Sequence, residues 1–202
     1  MTGKDRIANF FMLAAIIALP LFLPAFLPVR AAETVLLNES FAFNCYRAAV
    51  RGDVDLGVEA CSEAIEHQAL GSEDLAATYS NRGLLLSRGG ELKDALKDHE
   101  KAISIAPEFG SLYVNRSNTY VRAKRMKDAM ADLERAISIA DESLAAAYYN
   151  RALLFQRLGD GQAARADAER AAELSPETEA YRQYLSDLNR PVPVSPEAQQ
   201  AQ

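Results

Sequence analysis

The chain has 202 residues, of which 49% are hydrophobic and 25% charged, with a formal net charge of −6. That length suits about one domain, and that composition suits an ordinary water-soluble globular protein. An acidic chain without a basic run is a poor partner for nucleic-acid phosphates, and two cysteines with two histidines are too few for a structural zinc site of the usual spacings.

Residues 1–31 read as a targeting segment outside the fold. Lys4 and Arg6 give a positive start, and Ile7–Val29 is almost wholly apolar. Val29-Arg30-Ala31 offers small residues before a cut after Ala31, with a cut after Ala32 as a variant. This is the layout of a secretory signal peptide. The alternative is an uncleaved membrane anchor, since an apolar run of 23 residues can span a bilayer. Pro20, Pro24 and Pro28 argue against one straight helix and leave Ile7–Leu19 as a signal-length core. No cysteine sits at the cut, so lipoprotein processing is not expected. Both readings put the folded part outside the cytoplasm, in the periplasm if the source is Gram-negative. Removing this segment takes away a net +2 and leaves −8.

A first helical pair spans 38–71. Helix Glu39–Val50 is followed by the turn Arg51-Gly52-Asp53, with Asp53 as N-cap, and by helix Val54–Gln68 carrying Ala60, Ala64 and Ile65. Gly71-Ser72-Glu73-Asp74 connects onward, with Ser72 as N-cap. A second pair spans 76–109. In its first helix, about Glu73–Arg88, Tyr79, Gly83 and Leu86 recur at helical spacing. Gly89-Gly90 breaks that helix. Its second helix, about Glu91–Ile105, carries Ala95, Leu96, Ala102, Ile103 and Ile105, and Pro107 stops it.

The same pattern then recurs. Tyr79-Ser80-Asn81-Arg82-Gly83 becomes Tyr113-Val114-Asn115-Arg116-Ser117, and then Tyr148-Tyr149-Asn150-Arg151-Ala152. Asp98-His99-Glu100-Lys101-Ala102 becomes Asp132-Leu133-Glu134-Arg135-Ala136, and then Asp167-Ala168-Glu169-Arg170-Ala171. A helix-turn-helix unit repeating at about 34 residues, with small residues at fixed places, resembles the tetratricopeptide repeat (TPR) family. The resemblance implies an all-α fold, an α-solenoid of antiparallel hairpins with a concave peptide-binding groove. The units are 38–71, 76–109, 110–144 and 145–178. The first is divergent, as terminal repeats are. In the third, Asp141 replaces the usual proline, and Asp141-Glu142-Ser143 can cap the next helix. Ser175-Pro176-Glu177 reads as a helix start, opening a capping helix Pro176–Asn189 with Tyr181, Tyr184, Leu185 and Leu188 on one stripe. The Pro/Gln/Ala-rich tail 190–202 reads as disordered.

Each repeat's first helix has two stripes. Tyr79/Gly83/Leu86, Tyr113/Ser117/Tyr120 and Tyr148/Ala152/Phe155 read as packing. Ala77-Asn81-Leu84-Arg88, Ser111-Asn115-Asn118-Arg122 and Ala146-Asn150-Leu153-Arg157 share a second face. The resemblance implies that this face lines the groove, where Asn81, Asn115 and Asn150 bond the main chain of an extended peptide. An amide suits that role because it both donates and accepts. Arg88, Arg122 and Arg157 offer forks for an acidic peptide or a free C-terminal carboxylate; the competing reading is that they complement the helix dipole. The TPR clamp for chaperone C-termini uses first-repeat lysines that this sequence lacks, so that activity is not carried over.

Arg82, Arg116 and Arg151 each stand 16 residues before Asp98, Asp132 and Asp167. The turn lies at each midpoint, so Arg and Asp face each other across a hairpin as ion pairs. Cys45 and Cys61 are also 16 apart around Asp53 and read as a disulfide, the alternative being two buried thiols. His67 has no partner at a telling spacing. His99 takes the place of Leu133 and Ala168 and reads as a core or boundary residue. No serine, cysteine or carboxylate pattern marks a catalytic, phosphate, metal or cofactor site. The expectation is a non-enzymatic protein- or peptide-binding scaffold of the cell envelope. The alternatives are a self-associating structural component and a membrane-tethered scaffold.

Overall fold

The computed structural model describes residues 41–190. The leader, the start of the first helix before residue 41 and the tail beyond Arg190 lie outside them. The described residues form nine helices and no strand: α1 (residues 41–51), α2 (Val54–His67), α3 (Ser72–Gly89), α4 (Leu92–Ile105), α5 (Gly110–Arg122), α6 (Met126–Ile139), α7 (Leu144–Leu158), α8 (Gly161–Leu174) and α9 (Glu179–Asn189).

Helices pair as consecutive hairpins, and the hairpins stack in chain order. α3 packs on α4, α5 on α6 and α7 on α8; α2, α4 and α6 each pack on the next hairpin's first helix, and α9 lies on α8. The result is an α-solenoid. Fully buried alanines Ala64, Ala95, Ala102, Ala129, Ala136, Ala164 and Ala171 let the helices approach closely, and Tyr113, Tyr120, Leu133 and Leu154 fill the central layer.

The turns are made the same way. Gly90 and Gly159 adopt left-handed φ of 94° and 86° at their helix ends. Each ends its helix with a pair of bonds: Gly90 N–H donates to Ser87 O and Glu91 N–H to Leu86 O, and Gly159 and Asp160 do the same with Gln156 and Phe155. The α5–α6 turn repeats this geometry without glycine. Lys124 takes φ 59° there, with its N–H on Val121 O and Arg125 N–H on Tyr120 O.

Two capping expectations are corrected, and a third, Asp53, holds in position without its capping bond. Ser72 is the first helical residue, and Gly71 holds the N-cap position. Asp53 stands at the N-cap of α2, but its carboxylate accepts no capping bond. The last helix starts at Glu179 rather than Pro176, because Ser175–Thr178 forms a turn closed by Thr178 N–H on Ser175 O. That connector matches Ala106–Phe109, where Phe109 N–H donates to Ala106 O. The α6–α7 connector is built differently. Asp141 accepts from Gly110 N–H (2.6 Å), Ser143 N–H (2.9 Å) and Ser143 Oγ (2.6 Å), tying the starts of α5 and α7 together. Burial alone would raise this carboxyl, but the bonds from Ser143 and Gly110 outweigh it and hold the group below the ordinary aspartate range. A Cβ on Gly110 would lie 2.5 Å from Ser143 Oγ and 2.8 Å from Asp141 Oδ1, so a side chain there would have to displace this hydrogen-bonded pair.

Candidate binding groove

The groove rests on a scaffold of three bidentate ion pairs. Arg82 Nε and Nη2 donate to Asp98 at 2.7 and 2.9 Å, Arg116 to Asp132 at 2.8 and 2.7 Å, and Arg151 to Asp167 at 2.7 and 2.9 Å. Each guanidinium also lies over the first tyrosine of its repeat: Tyr79, Tyr113 or Tyr148. The side-chain bonds to aspartate raise all three arginines' pKa against the opposing effect of burial. Arg82 further donates to Ser62 Oγ (3.0 Å) and so ties the second hairpin to the first.

The first hairpin replaces this device. A shift of 34 residues puts Ala48 and Ala64 where Arg82 and Asp98 stand. Cys45 and Cys61, one turn away, form a disulfide with Cα atoms 4.7 Å apart. A covalent bond thus does at the chain's divergent repeat what an ion pair does in the others.

The small residue of each packing stripe matches its partner across the hairpin. A Cβ at Gly83 would meet His99 at 2.9 Å. His99 is wholly buried; its Nε2 lies 3.1 Å from Thr119 Oγ1, and its Nδ1 has no partner among the described residues. Burial, with the Arg116 charge adding to it, lowers its pKa to about 4, so His99 is a neutral core side chain at neutral pH.

On the groove face, Asn81, Asn115, Asn118 and Asn150 are all half-buried. Asn115 Nδ2 donates to Ser80 Oγ (3.0 Å) and Asn150 Nδ2 to Ala146 O (2.8 Å). Among the described residues, the amides of Asn81 and Asn118 make no side-chain hydrogen bond, and no donor reaches the amide oxygen of Asn115 or Asn150. The row therefore keeps an acceptor in each of the second, third and fourth repeats among the described residues.

The arginines of this row divide. Arg88 donates to Ala49 O, at the end of α1. Arg122 donates to Ser87 O (3.0 Å) and Arg88 O (3.5 Å), at the end of α3. Each reaches back to carbonyls in the last turn of the preceding first helix, and at Ser87 O the Arg122 bond adds to the one from Gly90 N–H. Both side chains are exposed, and these bonds leave guanidinium donors unused on each. Arg157 is exposed and makes no such bond among the described residues.

Residues missed in the sequence extend the row. Subtracting 34 from Ala77, Asn81 and Leu84 gives Phe43, Arg47 and Val50. Phe43 is 56% exposed and Val50 65%, and Arg47 lies over the Phe43 ring. A pocket of about 190 Å³ opens between the starts of α3 and α5, with Ala77, Phe109 and Leu112 in its wall and Glu73 and Asp74 on its rim. At the other end, Tyr184 falls 34 residues after Asn150. Its hydroxyl donates to Gln156 Oε1 (3.2 Å), and its ring meets Tyr149 edge-on at 5.4 Å, so α9 closes the row. Among the described residues no helix is long and apolar enough to cross a membrane, and no cluster of three metal-ligating side chains occurs.

Comparison with known proteins gives the repeats their name. Residues 110–143 and 145–178 match one tetratricopeptide repeat model and residues 75–106 another. A comparison with curated proteins gives no match. Among solved structures, a thermophilic TPR protein of Thermus thermophilus superposes with a TM-score of 0.65 at 19% identity, over 75% of this chain and 80% of that one. The second TPR domain of human RPAP3, in complex with the HSP70 peptide SGPTIEEVD, gives 0.51 at 23% identity over 60% of this chain and 100% of its own. The first TPR of Spaghetti (RPAP3), bound to the HSP90 peptide SRMEEVD, gives 0.50 at 25% over 56% and 89%.

Proposed function

The chain carries tetratricopeptide repeats between residues 75 and 178, and from that premise we propose that it is a non-enzymatic scaffold holding a peptide segment of a protein partner on its concave face. The observation that carries this reading is the asparagine row, in which Asn81, Asn115 and Asn150 recur at 34–35 residues with acceptors unused among the described residues. Contacts to a peptide main chain ignore side-chain identity, so the same amide can serve in each repeat. Apolar side chains of the partner find Phe43 and Val50 on the first hairpin and the Phe109–Leu112 pocket at the starts of α3 and α5. A carboxylate of the partner, on an acidic side chain or at its C-terminus, finds Arg47 or Arg157, which hold no backbone carbonyl among the described residues, or the donors that Arg88 and Arg122 leave unused. The two peptide-bound neighbours support a peptide as the class of ligand.

The scaffold works outside the cytoplasm, in the cell envelope. Support comes from the signal-like residues 1–31 and from a disulfide of a kind that persists in an oxidising compartment. Fractionation tests the location: recovery in the cytosolic fraction contradicts it. A photocrosslinking side chain tests the groove. Placed at Leu84 on the concave row, it captures the partner; placed at Glu134, exposed on α6, it does not. The reverse pattern refutes the groove reading.

A further inference from the structure

Among the described residues, no helix covers the outer face of the first hairpin. In every later hairpin this upstream face is covered by the second helix of the preceding repeat: α2 covers α3, α4 covers α5 and α6 covers α7. The far end is covered as well, where α9 packs on α8 and sets Tyr181 and Tyr184 against Tyr149. On α1–α2 the equivalent surface is an open groove of about 570 Å³. Phe41, Ala48, Leu56 and Ala60 supply its apolar lining. Leu56 is 74% exposed on its lip. End repeats of a solenoid need a polar outer face to stay dissolved alone, and this one has an apolar centre.

We infer that a second copy of this chain covers the groove, in a two-fold dimer whose axis runs parallel to the hairpin. The charge pattern selects this occupant. The bonded pair Cys45–Cys61 fixes which residues of the two helices stand level. Two residues nearer the turn on each helix, Arg47 and Glu59 are therefore level with each other. At helical spacing Arg47 lies on the outer edge of the α1 side of the groove, and Glu59 on the outer edge of the α2 side. Neither forms an ion pair among the described residues.

A two-fold axis parallel to the helices keeps heights and exchanges sides. It sets Arg47 of each copy beside Glu59 of the other, at both rims. Glu63, one turn along the same edge, adds to the attraction. Leu56 of each copy enters the apolar centre between them. The pairing is a charged rim around an apolar core, the usual anatomy of a specific interface. The opposite end already carries α9, so head-to-tail growth has no matching surface and the assembly closes as a dimer. Arg47 borders both this interface and the asparagine row, whereas Leu56 lines the outer groove alone, so Leu56→Glu tests the dimer separately from the groove reading.

Sedimentation equilibrium on protein expressed from the full chain, over a dilution series, tests the inference. The expected result is a reversible species of twice the chain mass. Leu56→Glu abolishes it with helical circular dichroism unchanged. Arg47→Glu and Glu59→Arg each weaken association roughly tenfold, since each reverses two symmetry-related rim pairs worth up to about 0.7 kcal/mol apiece. The double exchange Arg47→Glu/Glu59→Arg restores it. A wild-type monomer overturns the inference, including one whose groove is covered by the chain upstream of residue 41. So does a dimer indifferent to Leu56→Glu, a double exchange that fails to restore association, or open-ended growth.

Discussion

Lowering the pH from neutral to 5 should weaken the fold through one side chain, His99. Its folded-state pKa is lowered to about 4 from an ordinary 6.5, by burial first and by the Arg116 charge second. The folded state therefore keeps His99 neutral where the unfolded chain protonates it. Its contribution is complete above 6.5, is lost as the pH falls below that value, and stops falling near 4. A gap of about 2.5 pH units corresponds to about 3 kcal/mol, of which about 2 kcal/mol is lost by pH 5. His99→Leu removes the titration. Leucine already stands at the equivalent Leu133, and Gly83 leaves room across the hairpin. Urea denaturation of both proteins at neutral pH and at pH 5 measures the effect, with carboxylate contributions cancelling between them. The wild type should lose about 2 kcal/mol more than the variant. Equal losses would refute the claim that His99 is buried and neutral.

Asp132→Ala leaves the Arg116 guanidinium partly buried without its carboxylate and should destabilise by about 2 kcal/mol, between the exposed and buried limits for ion pairs; chemical denaturation reads it. Lys124→Gly relieves a left-handed residue at the α5–α6 turn and should stabilise by about 0.5–1 kcal/mol, seen as a small rise in Tm. Cys45→Ser/Cys61→Ser removes a closed loop of about 15 residues and should lose about 3 kcal/mol, with α1 and α2 exchanging amide protons before α5 and α6 do. Gly110→Ala should destabilise by about 1–3 kcal/mol, because its methyl displaces Ser143 from Asp141; a neutral outcome in denaturation would show that this connector relaxes freely.

Long-range order is the most legible part of the sequence, because a period of about 34 residues is a packing constraint written repeatedly. Residues 16 apart around a turn have to stand level, which is why Arg82 and Asp98, or Cys45 and Cys61, can be set against each other from spacing alone. Local ends are less legible. Ser175-Pro176-Glu177 has the chemistry of a helix start, yet Pro176 occupies the connector place that Pro107 holds, and the helix waits until Glu179. Ser72 and Asp53 have capping side chains that the local backbone does not use. The groove arginines show a different limit. Periodicity assigns Arg88 and Arg122 to a face, but it does not reveal that their reach ends on carbonyls of the preceding helix. Phe43, Arg47 and Val50 are legible only by carrying the period back into a repeat without the Tyr-x-Asn-Arg signature. The Asp141 bridge is half visible: the sequence marks a cap for the following helix, but not its bond to Gly110, 31 residues earlier.

The most direct test of the groove is a crosslinking pull-down from the native envelope, comparing wild type with Asn81→Ala/Asn115→Ala/Asn150→Ala. The predicted result is a partner captured by the wild type and lost by a variant that remains folded by circular dichroism. Equal capture by both would contradict the groove reading and move the binding surface away from the asparagine row.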